Sequence, residues 1–385
     1  MTDVLFVASE PTWPPVTGGR VRTGGIAAAL ARELTVTLVE PFWGAQEAPP
    51  DGGAPPGIER IALPGAERPG VIGHFADLRP RLGLDAIDAA GRRRLRRIVE
   101  EKAPRVVLYG QSYVAAAAPP VSMPWIVDFQ NVEAQRLRSI AAASRGIHRA
   151  SALWECVKAQ LWERRVARQC AFALAVSPDD AAVISKWGAE VVTVPNVPPA
   201  VEPCGRSPDR GTVLFVANVR YEPNEQAAVR LIERVWPQVR ARVADAELHV
   251  IGTGTDDRLA RLSRDGVRIG GQVADLRPHY DAAALVVAPV ESGGGTQLKV
   301  VEALAYGRVV VGSPYSARSA PAQAESGVVV AEDEAGLATS IVEVLTDVAA
   351  RHRREAELVA AMAETRGWDL ACRPVLERLR PLLDR

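Results

Sequence analysis

Short apolar runs alternate with longer amphipathic stretches along almost the whole chain. The runs are apolar at consecutive positions, which is typical of strands buried on both faces of a parallel sheet. The stretches between them, such as 24–33 and 85–102, have the spacing of helices that pack on a core. The predicted strands form two sets, at 4–8, 36–39, 106–109, 125–128, 172–176 and 191–194, and at 213–217, 248–251, 267–269, 285–288, 309–311 and 328–330.

A segment rich in proline and charged residues interrupts this alternation near the middle of the chain. Residues 196–210 have the composition of an interdomain linker. Strands that alternate with helices on both sides of it predict an α/β protein with two doubly wound domains. We therefore expect a first domain at 1–195, a linker at 196–210 and a second domain at 211–367.

The composition agrees with two domains and argues against several functional classes. The chain has 385 residues, of which 48% are apolar, enough for two separate cores. Equal numbers of basic and acidic residues, 46 each, argue against a nucleic-acid-binding protein. No apolar run approaches about 18 residues and no signal-peptide pattern opens the chain, so we expect a cytoplasmic protein without a transmembrane segment. Peripheral contact with a membrane stays open.

The cysteines and carboxylates do not have the spacing of a metal site. None of the four cysteines belongs to a C-x-x-C pair, which argues against structural zinc and favours free thiols in a reducing cytosol. No Asp-x-Asp motif follows a predicted strand, so we expect no bound metal. The cysteines are Cys156, Cys170, Cys204 and Cys372.

The stretch 288–311 carries the most specific chemistry in the chain. It is predicted to form a strand end, a glycine loop (Gly293, Gly294 and Gly295), a helix that Thr296 opens, and another strand. The first turn of a helix presents free N–H groups and a partial positive charge. Glycines before that turn let a phosphate approach the backbone closely. This pattern predicts a phosphate-binding loop.

Lys299 and Glu302 lie three residues apart on the helix that follows this loop, so they share a face. A lysine beside a phosphate loop can offset phosphate charge, and a carboxylate can accept hydrogen bonds from ribose hydroxyls. Together they predict a site for a nucleoside diphosphate. The alternative is a surface ion pair between Lys299 and Glu302 without a ligand.

The same residues resemble a known family. The pattern Gly293-x-Gly295-Thr296, Lys299, Glu302-Ala303 and Gly307 is similar to the nucleotide-sugar loop and helix of family 4 glycosyltransferases. The resemblance covers nearly the whole chain. It implies the GT-B architecture, two Rossmann-like domains facing across a cleft. It also implies that the carboxyl-terminal stretch 368–385, which opens with Trp368-Asp369, packs back on the first domain.

The resemblance implies an enzyme that transfers a sugar from a nucleotide-sugar donor to an acceptor, with retention of configuration and without metal or any cofactor beyond the substrate. The acceptor, whether a small molecule, a lipid or a glycan, stays unidentified. Two alternatives stay open, a GT-B nucleotide-sugar epimerase and a non-catalytic partner that binds the sugar nucleotide. An epimerase would need a histidine and several carboxylates near the sugar, which the sequence does not locate.

In the first domain, the resemblance implies roles for two strand-end segments and one loop. Gly19 of the Gly18-Gly19 turn is expected to face the donor, and Arg22 the acceptor; the alternative is a tight turn with a solvated arginine. Gln130 stands where relatives often carry a histidine that contacts the donor sugar, but an amide is no acid or base near neutral pH. Asn131 beside it, and His74 in a loop, are candidate acceptor contacts; a strand-end polar cluster and a surface histidine are the alternatives.

In the second domain, the resemblance implies that Arg220 and Lys299 offset the charge of the donor diphosphate. Asn224 and Gln297 stand near places where relatives offer cations, so Lys299 and the helix N-terminus are expected to do more of this work. Gly294 stands eight residues before Glu302, where relatives have a glutamate that contacts the transferred sugar. Further donor contacts are expected from Gly294, Gly295, Thr296 and Asn224, and from Gly271 and Val273 at the nucleobase.

Overall fold

The computed structural model describes residues 2–13, 15, 17–42, 55–64, 78–197, 201–292, 297–364 and 367–384. The chain divides into two compact units. Unit 1 comprises Met1–Asn196 and Trp368–Arg385, and unit 2 comprises Val197–Gly367. Each unit contains a parallel sheet with helices, so the α/β class predicted from the apolar runs is confirmed.

Unit 1 is built on a parallel sheet that contains seven strands among the described residues, in the order β3-β2-β1-β4-β5-β6-β7. The strand order reverses between β1 and β4, which are neighbours on the sheet. In such sheets, ligands bind beyond the carboxyl ends of the strands where the order reverses. The strands are β1 (Val4–Val7), β2 (Val36–Phe42), β3 (Ile58–Pro64), β4 (Val106–Tyr109), β5 (Trp125–Phe129), β6 (Ala173–Ala175) and β7 (Val191–Thr193).

Helices cover this sheet, and the carboxyl-terminal helix is one of them. Cys372, Val375 and Leu379 of that helix are buried in the same core as β1 and the first helix. A Cβ atom at Gly25 would lie 2.1 Å from the ring of Trp368, so glycine is required where the two helices meet. The helices are α1 (Gly18–Leu30), α2 (Arg81–Ala86), α3 (Ala89–Lys102), α4 (Ser112–Ala117), α5 (Glu133–Ala143), α6 (Gly146–Gln169), α7 (Pro178–Ser185) and, at the end of the chain, α16 (Trp368–Leu383).

The stretch 132–169, which has helical spacing throughout, forms two helices rather than one. Ser144 and Arg145 are extended, and Gly146 has a positive φ of 55°. This break lets α5 and α6 pack against each other as a hairpin. Trp162 of α6 donates a hydrogen bond to the carbonyl of Leu78 (2.8 Å), whereas Trp154 is 37% exposed.

Unit 2 repeats the architecture with a six-stranded parallel sheet in the order β10-β9-β8-β11-β12-β13 among the described residues. The order reverses between β8 and β11. The strands are β8 (Thr212–Val216), β9 (Leu248–Ile251), β10 (Val267–Ile269), β11 (Ala283–Ala288), β12 (Val310–Gly312) and β13 (Val328–Val330). The helices are α8 (Glu222–Arg230), α9 (Trp236–Arg240), α10 (Thr255–Arg258), α11 (Arg277–Ala282), α12 (Leu298–Ala305), α13 (Pro314–Ala317), α14 (Glu334–Thr346) and α15 (Val348–Glu364).

The segment predicted as a linker differs from that expectation over its described residues. Residues 201–210 belong to unit 2 and pack on it. The backbone N–H of Cys204 donates to the carbonyl of Tyr306 (2.9 Å), and that of Ser207 donates to the Glu355 carboxylate (3.1 Å). The buried guanidinium of Arg351 donates to the Ser207 hydroxyl (2.9 Å). Residues 201–210 are rich in proline and charge, but they are packed on unit 2 and do not form a free spacer.

All four cysteines are free thiols in the structure. Among the described residues, no group of three or more His, Cys, Asp or Glu side chains is arranged to hold a metal ion. No helix in that part of the chain is both long enough and apolar enough to cross a membrane.

Candidate active site

The carboxyl ends of the unit 2 strands bring most of the predicted donor residues to one edge of the sheet. Strands β8 and β11 are neighbours at the reversal point, so the segments after them meet there. Arg220 and Asn224 follow β8, and Lys299 follows β11 on α12. The predicted phosphate loop, with Gly294, Gly295 and Thr296, lies outside the described residues, and its role stays a prediction.

Lys299 is buried in unit 2 rather than exposed on the helix surface. Its side chain is 9% exposed, and its ammonium donates to the amide oxygens of Asn224 (2.7 Å) and Gln297 (2.9 Å). The ammonium also lies 5.9 Å from the ring centroid of Phe215, within the range of a cation–π contact. The alternative of a surface ion pair with Glu302 is therefore wrong.

The charge of Lys299 has no carboxylate to balance it among the described residues. Both hydrogen-bond partners are neutral, and burial lowers the pKa of Lys299 to about 7. A lysine has three N–H donors, and these contacts occupy two of them. A buried ammonium with only neutral partners is stabilised when an anion binds beside it. The surroundings of Lys299 therefore favour the binding of an anion.

Asn224 holds Lys299 in place, and both ends of its amide are occupied. Its oxygen accepts from Lys299, and its nitrogen donates to the carbonyl of Asn218 (2.8 Å). The side chain is 8% exposed. These bonds give Asn224 a positioning role. A direct contact with the donor stays a prediction, because one N–H of the amide is not used by them. Gln297, also buried, is fixed by a bond from its backbone N–H to the Ser319 hydroxyl (2.7 Å).

Arg220 lies at the same edge but is held loosely. Its side chain is 58% exposed and forms an ion pair with Asp257 (3.1 Å), which is 56% exposed. Exposed ion pairs of this kind contribute little to stability, commonly less than about 1 kcal/mol. The guanidinium can therefore leave Asp257 for a stronger anion at little cost.

Glu302 is half-buried one turn beyond Lys299, and a buried tyrosine orients it. The hydroxyl of Tyr280 donates to Oε2 of Glu302 (3.2 Å). Tyr280 is completely buried and stacks on Tyr306, with ring centroids 4.2 Å apart. Within the described part of the chain, Oε1 of Glu302 accepts no hydrogen bond. Burial raises the pKa of Glu302.

Glycines allow the segments that follow neighbouring strands to pack closely against each other. Gly252 has a φ of 130°, and a Cβ there would lie 2.1 Å from the carbonyl of Ala217. The N–H of Gly252 donates to the carbonyl of Gly271 (3.1 Å), which follows β10. Val273 packs on the apolar cluster beneath this edge. The predicted contacts of Gly271 and Val273 with a nucleobase stay predictions.

In unit 1, Gly19 lies in the first turn of α1 beside Gln130. A Cβ at Gly19 would lie 2.6 Å from Oε1 of Glu10 and 3.1 Å from Oε1 of Gln130, so a side chain there would have to displace the Glu10 carboxylate. The amide nitrogen of Gln130 donates to the carbonyl of Gly110 (2.9 Å) and to the hydroxyl of Thr23 (3.2 Å). Only the oxygen of Gln130 remains to contact a ligand, and it could only accept a hydrogen bond.

Arg22 does not have the solvated or ligand-facing position expected of it. It is 1% exposed, and its guanidinium donates twice to Asp128 at 2.6 and 2.8 Å. It also donates to the carbonyl of Val194 (2.7 Å) and to the side chain of Asn196 (3.2 Å). Because these bonds tie α1 to the ends of β5 and β7, Arg22 has a structural role. Asn131 is half-buried after β5, and His74 lies outside the described residues.

Sequence reasoning missed two carboxylates at the carboxyl edge of the unit 1 sheet. Glu10 follows β1 and accepts from the hydroxyl of Thr17 (3.1 Å) and from Arg20 (3.0 Å). Its place after the first predicted strand was a signal that could have found it. Glu163 is buried and accepts from the first N–H groups of α5 at 2.7 and 3.0 Å. Burial raises the pKa of Glu163 to about 8, and the sequence gives no sign of this.

A family model and one curated relative match parts of the chain. Residues 210–347 match the family model described as "Glycosyl transferases group 1". A stretch of 144 residues is 34% identical to the phosphatidyl-myo-inositol mannosyltransferase of Mycolicibacterium smegmatis, and it covers 35% of this chain and 36% of that protein. The alignment therefore spans about a third of the curated relative.

Several solved structures resemble the chain over nearly its whole length. Sucrose-phosphate synthase from Thermosynechococcus elongatus superposes with a TM-score of 0.71 at 13% identity and covers 100% of both chains. WaaG, a glycosyltransferase involved in lipopolysaccharide biosynthesis, gives 0.66 at 14% identity, over 97% of this chain and 98% of WaaG. The Anabaena protein HepE, solved with UDP and glucose, gives 0.62 at 12% identity, over 99% of this chain and 100% of HepE.

These likenesses confirm the predicted fold class, the GT-B architecture of two Rossmann-like domains. The family match places a glycosyltransferase group 1 domain on unit 2, and the comparisons together support a glycosyltransferase. Membership in family 4, and retention of configuration, stay predictions.

Proposed function

We propose that this chain transfers a sugar from a nucleoside-diphosphate sugar to an acceptor hydroxyl, with retention and without a divalent metal or other cofactor, in the cytoplasm. The observation that carries the proposal is Lys299, a buried ammonium held by two neutral amide oxygens. It stands on the helix after the predicted phosphate loop, inside the segment that matches the glycosyltransferase model.

The proposed reaction depends on charge stabilisation rather than on a strong base. Breaking the bond between sugar and diphosphate increases negative charge on the leaving group. A preorganised cation in a site shielded from water stabilises that charge more than it stabilises the ground state. Lys299 would supply this cation, and the N–H groups of residues 294–296 would supply dipoles. Arg220 would exchange Asp257 for a phosphate oxygen.

Glu302 would hold the ribose of the donor. Tyr280 occupies Oε2 of the carboxylate, which leaves Oε1 to accept from a ribose hydroxyl. The buried, stacked ring of Tyr280 would keep the carboxylate in one orientation and so reduce the entropy lost on binding. In the first domain, Gly19, the oxygen of Gln130, Asn131 and His74 remain candidates for contacts with the sugar and the acceptor.

A binding screen followed by product analysis tests this function. UDP, GDP, ADP and TDP sugars are screened for an increase in thermal midpoint, and the best donor is incubated with candidate acceptors in excess EDTA. A glycosylated product with the donor's anomeric configuration supports the proposal. Conversion of the donor sugar to its epimer without an acceptor would favour the epimerase alternative. Binding without turnover across acceptor classes would favour a non-catalytic partner.

A further inference from the structure

Helix α6 of unit 1 exposes a long apolar face. The exposed fractions are 78% for Ile147, 45% for Leu153, 37% for Trp154, 48% for Val157 and 61% for Leu161. At 100° per residue, these side chains fall on one side of the helix over about four turns. Scattered single apolar residues are ordinary on a protein surface, but a continuous stripe of this length marks an interaction surface. We call these five residues the α6 stripe.

Basic residues surround the α6 stripe at both ends. Arg145 and Arg149 are exposed at its beginning, and Arg164, Arg165 and Arg168 are exposed beyond Leu161. A surface pocket lined by Leu161, Arg164, Arg165, Arg168 and Gln169 lies where the apolar face meets the second arginine group. Among the described residues, none of these five arginines forms an ion pair with a carboxylate.

This charge is local, because the chain as a whole is neutral. The hairpin 133–169 contains eight arginine or lysine residues and three glutamates, whereas the whole chain has 46 of each sign. The three glutamates face inward or sideways. Glu133 and Glu163 are buried, and Glu155 is only 16% exposed. The outer face of α6 is therefore apolar and cationic without acidic residues.

We propose that the α6 stripe docks this protein on the surface of an anionic lipid bilayer. An exposed apolar helix face with basic residues at its flanks can bind the interface of an anionic bilayer while its other face stays packed on the protein. The apolar side chains would enter the boundary of the acyl chains, and the arginines would bind lipid phosphates. The helix is not apolar enough to cross a membrane, so the contact is peripheral.

A second copy of the chain fits this face less well than an anionic bilayer does. In a symmetric antiparallel contact, Arg145 and Arg149 of one copy would face Arg164 and Arg168 of the other. A parallel contact would place identical arginine groups together. Either arrangement brings like charges into an apolar interface, which is unfavourable.

Vesicle binding by the full chain, without any sugar nucleotide, tests the proposal. Phosphatidylcholine vesicles with and without about one third phosphatidylglycerol are sedimented with the protein at low salt. We expect binding to the anionic vesicles only, weakened by added salt. Arg164→Glu with Arg168→Glu should weaken it at least tenfold, since each basic residue near an anionic surface contributes about fivefold in affinity.

Matched variants separate this face from general surface charge. Arg93→Glu with Arg97→Glu changes two exposed arginines at the same spacing on α3, and it should alter binding less than about twofold. Leu161→Ser should weaken binding, whereas Leu370→Ser, at a leucine that is 54% exposed on α16, should not. Brominated lipids should quench the tryptophan fluorescence of the parent, and they should quench that of Trp154→Phe less.

Any of four results would overturn the proposal. They are equal binding to neutral and anionic vesicles, no binding to anionic vesicles, equal losses of binding in the two arginine-pair variants, and a lipid-free dimer that Leu161→Ser dissociates. The thermal midpoint of each variant is measured first. If the charge reversal does not fold, Arg164→Gln with Arg168→Gln replaces it and should still weaken binding severalfold. None of these readouts depends on glycosyl transfer, so the outcome is independent of the proposed function.

Discussion

Replacing Lys299 with methionine separates the proposed catalytic role of this residue from its effect on the fold. Methionine is close to lysine in length and apolar, so Lys299→Met removes the charge without opening a large cavity. The pKa of Lys299 falls from 10.5 to about 7 through burial, and at 1.36 kcal/mol per unit the buried charge costs roughly 5 kcal/mol. The substitution removes that cost.

The same substitution leaves two buried amide oxygens without their donor. They belong to Asn224 and Gln297, and an unpaired buried acceptor costs about 1–3 kcal/mol. The two effects oppose each other and are similar in size. We therefore expect the unliganded variant to be as stable as the parent within about 3 kcal/mol. Turnover should fall about 10²-fold or more, the scale of removing one preorganised donor in a transition state.

The pH dependence of stability gives an independent measure of the Lys299 charge. The pKa is depressed in the folded state, so between about pH 7 and 10.5 the unfolded chain binds more protons at this site than the folded protein does. The free energy of unfolding of the parent, relative to Lys299→Met, should therefore rise with pH across that window. Below about pH 7, this relative free energy of unfolding should be at its lowest and should no longer change with pH.

Steady-state kinetics with the identified donor, and urea unfolding at a series of pH values, are the two assays. Lys186→Met, at an exposed lysine of unit 1, is the matched control and should leave both unchanged. A kcat for Lys299→Met within threefold of the parent would mean that the diphosphate is held elsewhere. If the free energy of unfolding changes with pH equally in the parent and in Lys299→Met, then burial does not lower the pKa of Lys299.

Four further outcomes follow from the same geometry. Glu302→Ala should weaken nucleotide binding about tenfold or more, by calorimetry, through loss of the ribose contact. Tyr280→Phe keeps the stacked ring and should weaken the same affinity about threefold, whereas Tyr306→Phe should not. Activity should be unchanged in excess EDTA; a rate abolished by EDTA and restored by magnesium or manganese would refute this. Arg22→Met leaves the Asp128 charge buried and unpaired, so chemical unfolding should show a loss of about 3–5 kcal/mol.

The strands were predictable because burial on both faces produces continuous apolar runs. Edge strand β3 (Ile58–Pro64) was not predicted, since Glu59 and Arg60 interrupt its apolar residues and leave an apolar run of only three. The break between α5 and α6 is not visible in the sequence, because helical spacing continues through Gly146. That residue takes a positive φ, which periodicity alone cannot reveal.

The candidate site was predictable only where its residues are close in sequence. Lys299 and Glu302 share a helix, so their common face followed from spacing. The bond between Lys299 and Asn224 joins residues 75 positions apart, and it exists because β8 and β11 are neighbours on the sheet. Arg22 was misjudged for the same reason, since its partner Asp128 is 106 positions away. Strand order therefore decides which polar residues have a structural role and which remain available to a ligand.

In the proposed reaction, the neutral partners of Lys299 would let one buried lysine replace the several cations that relatives in the resembled family offer. A carboxylate in the place of Asn224 would hold the ammonium permanently, raise its pKa and compete with the diphosphate. An amide oxygen orients the ammonium without neutralising it. The unliganded protein then carries an uncompensated buried charge, and in the proposed reaction an incoming diphosphate would remove that penalty. The energy that the fold loses by burying Lys299 would become available as affinity for the anion, and more so when the leaving group gains charge in the transition state.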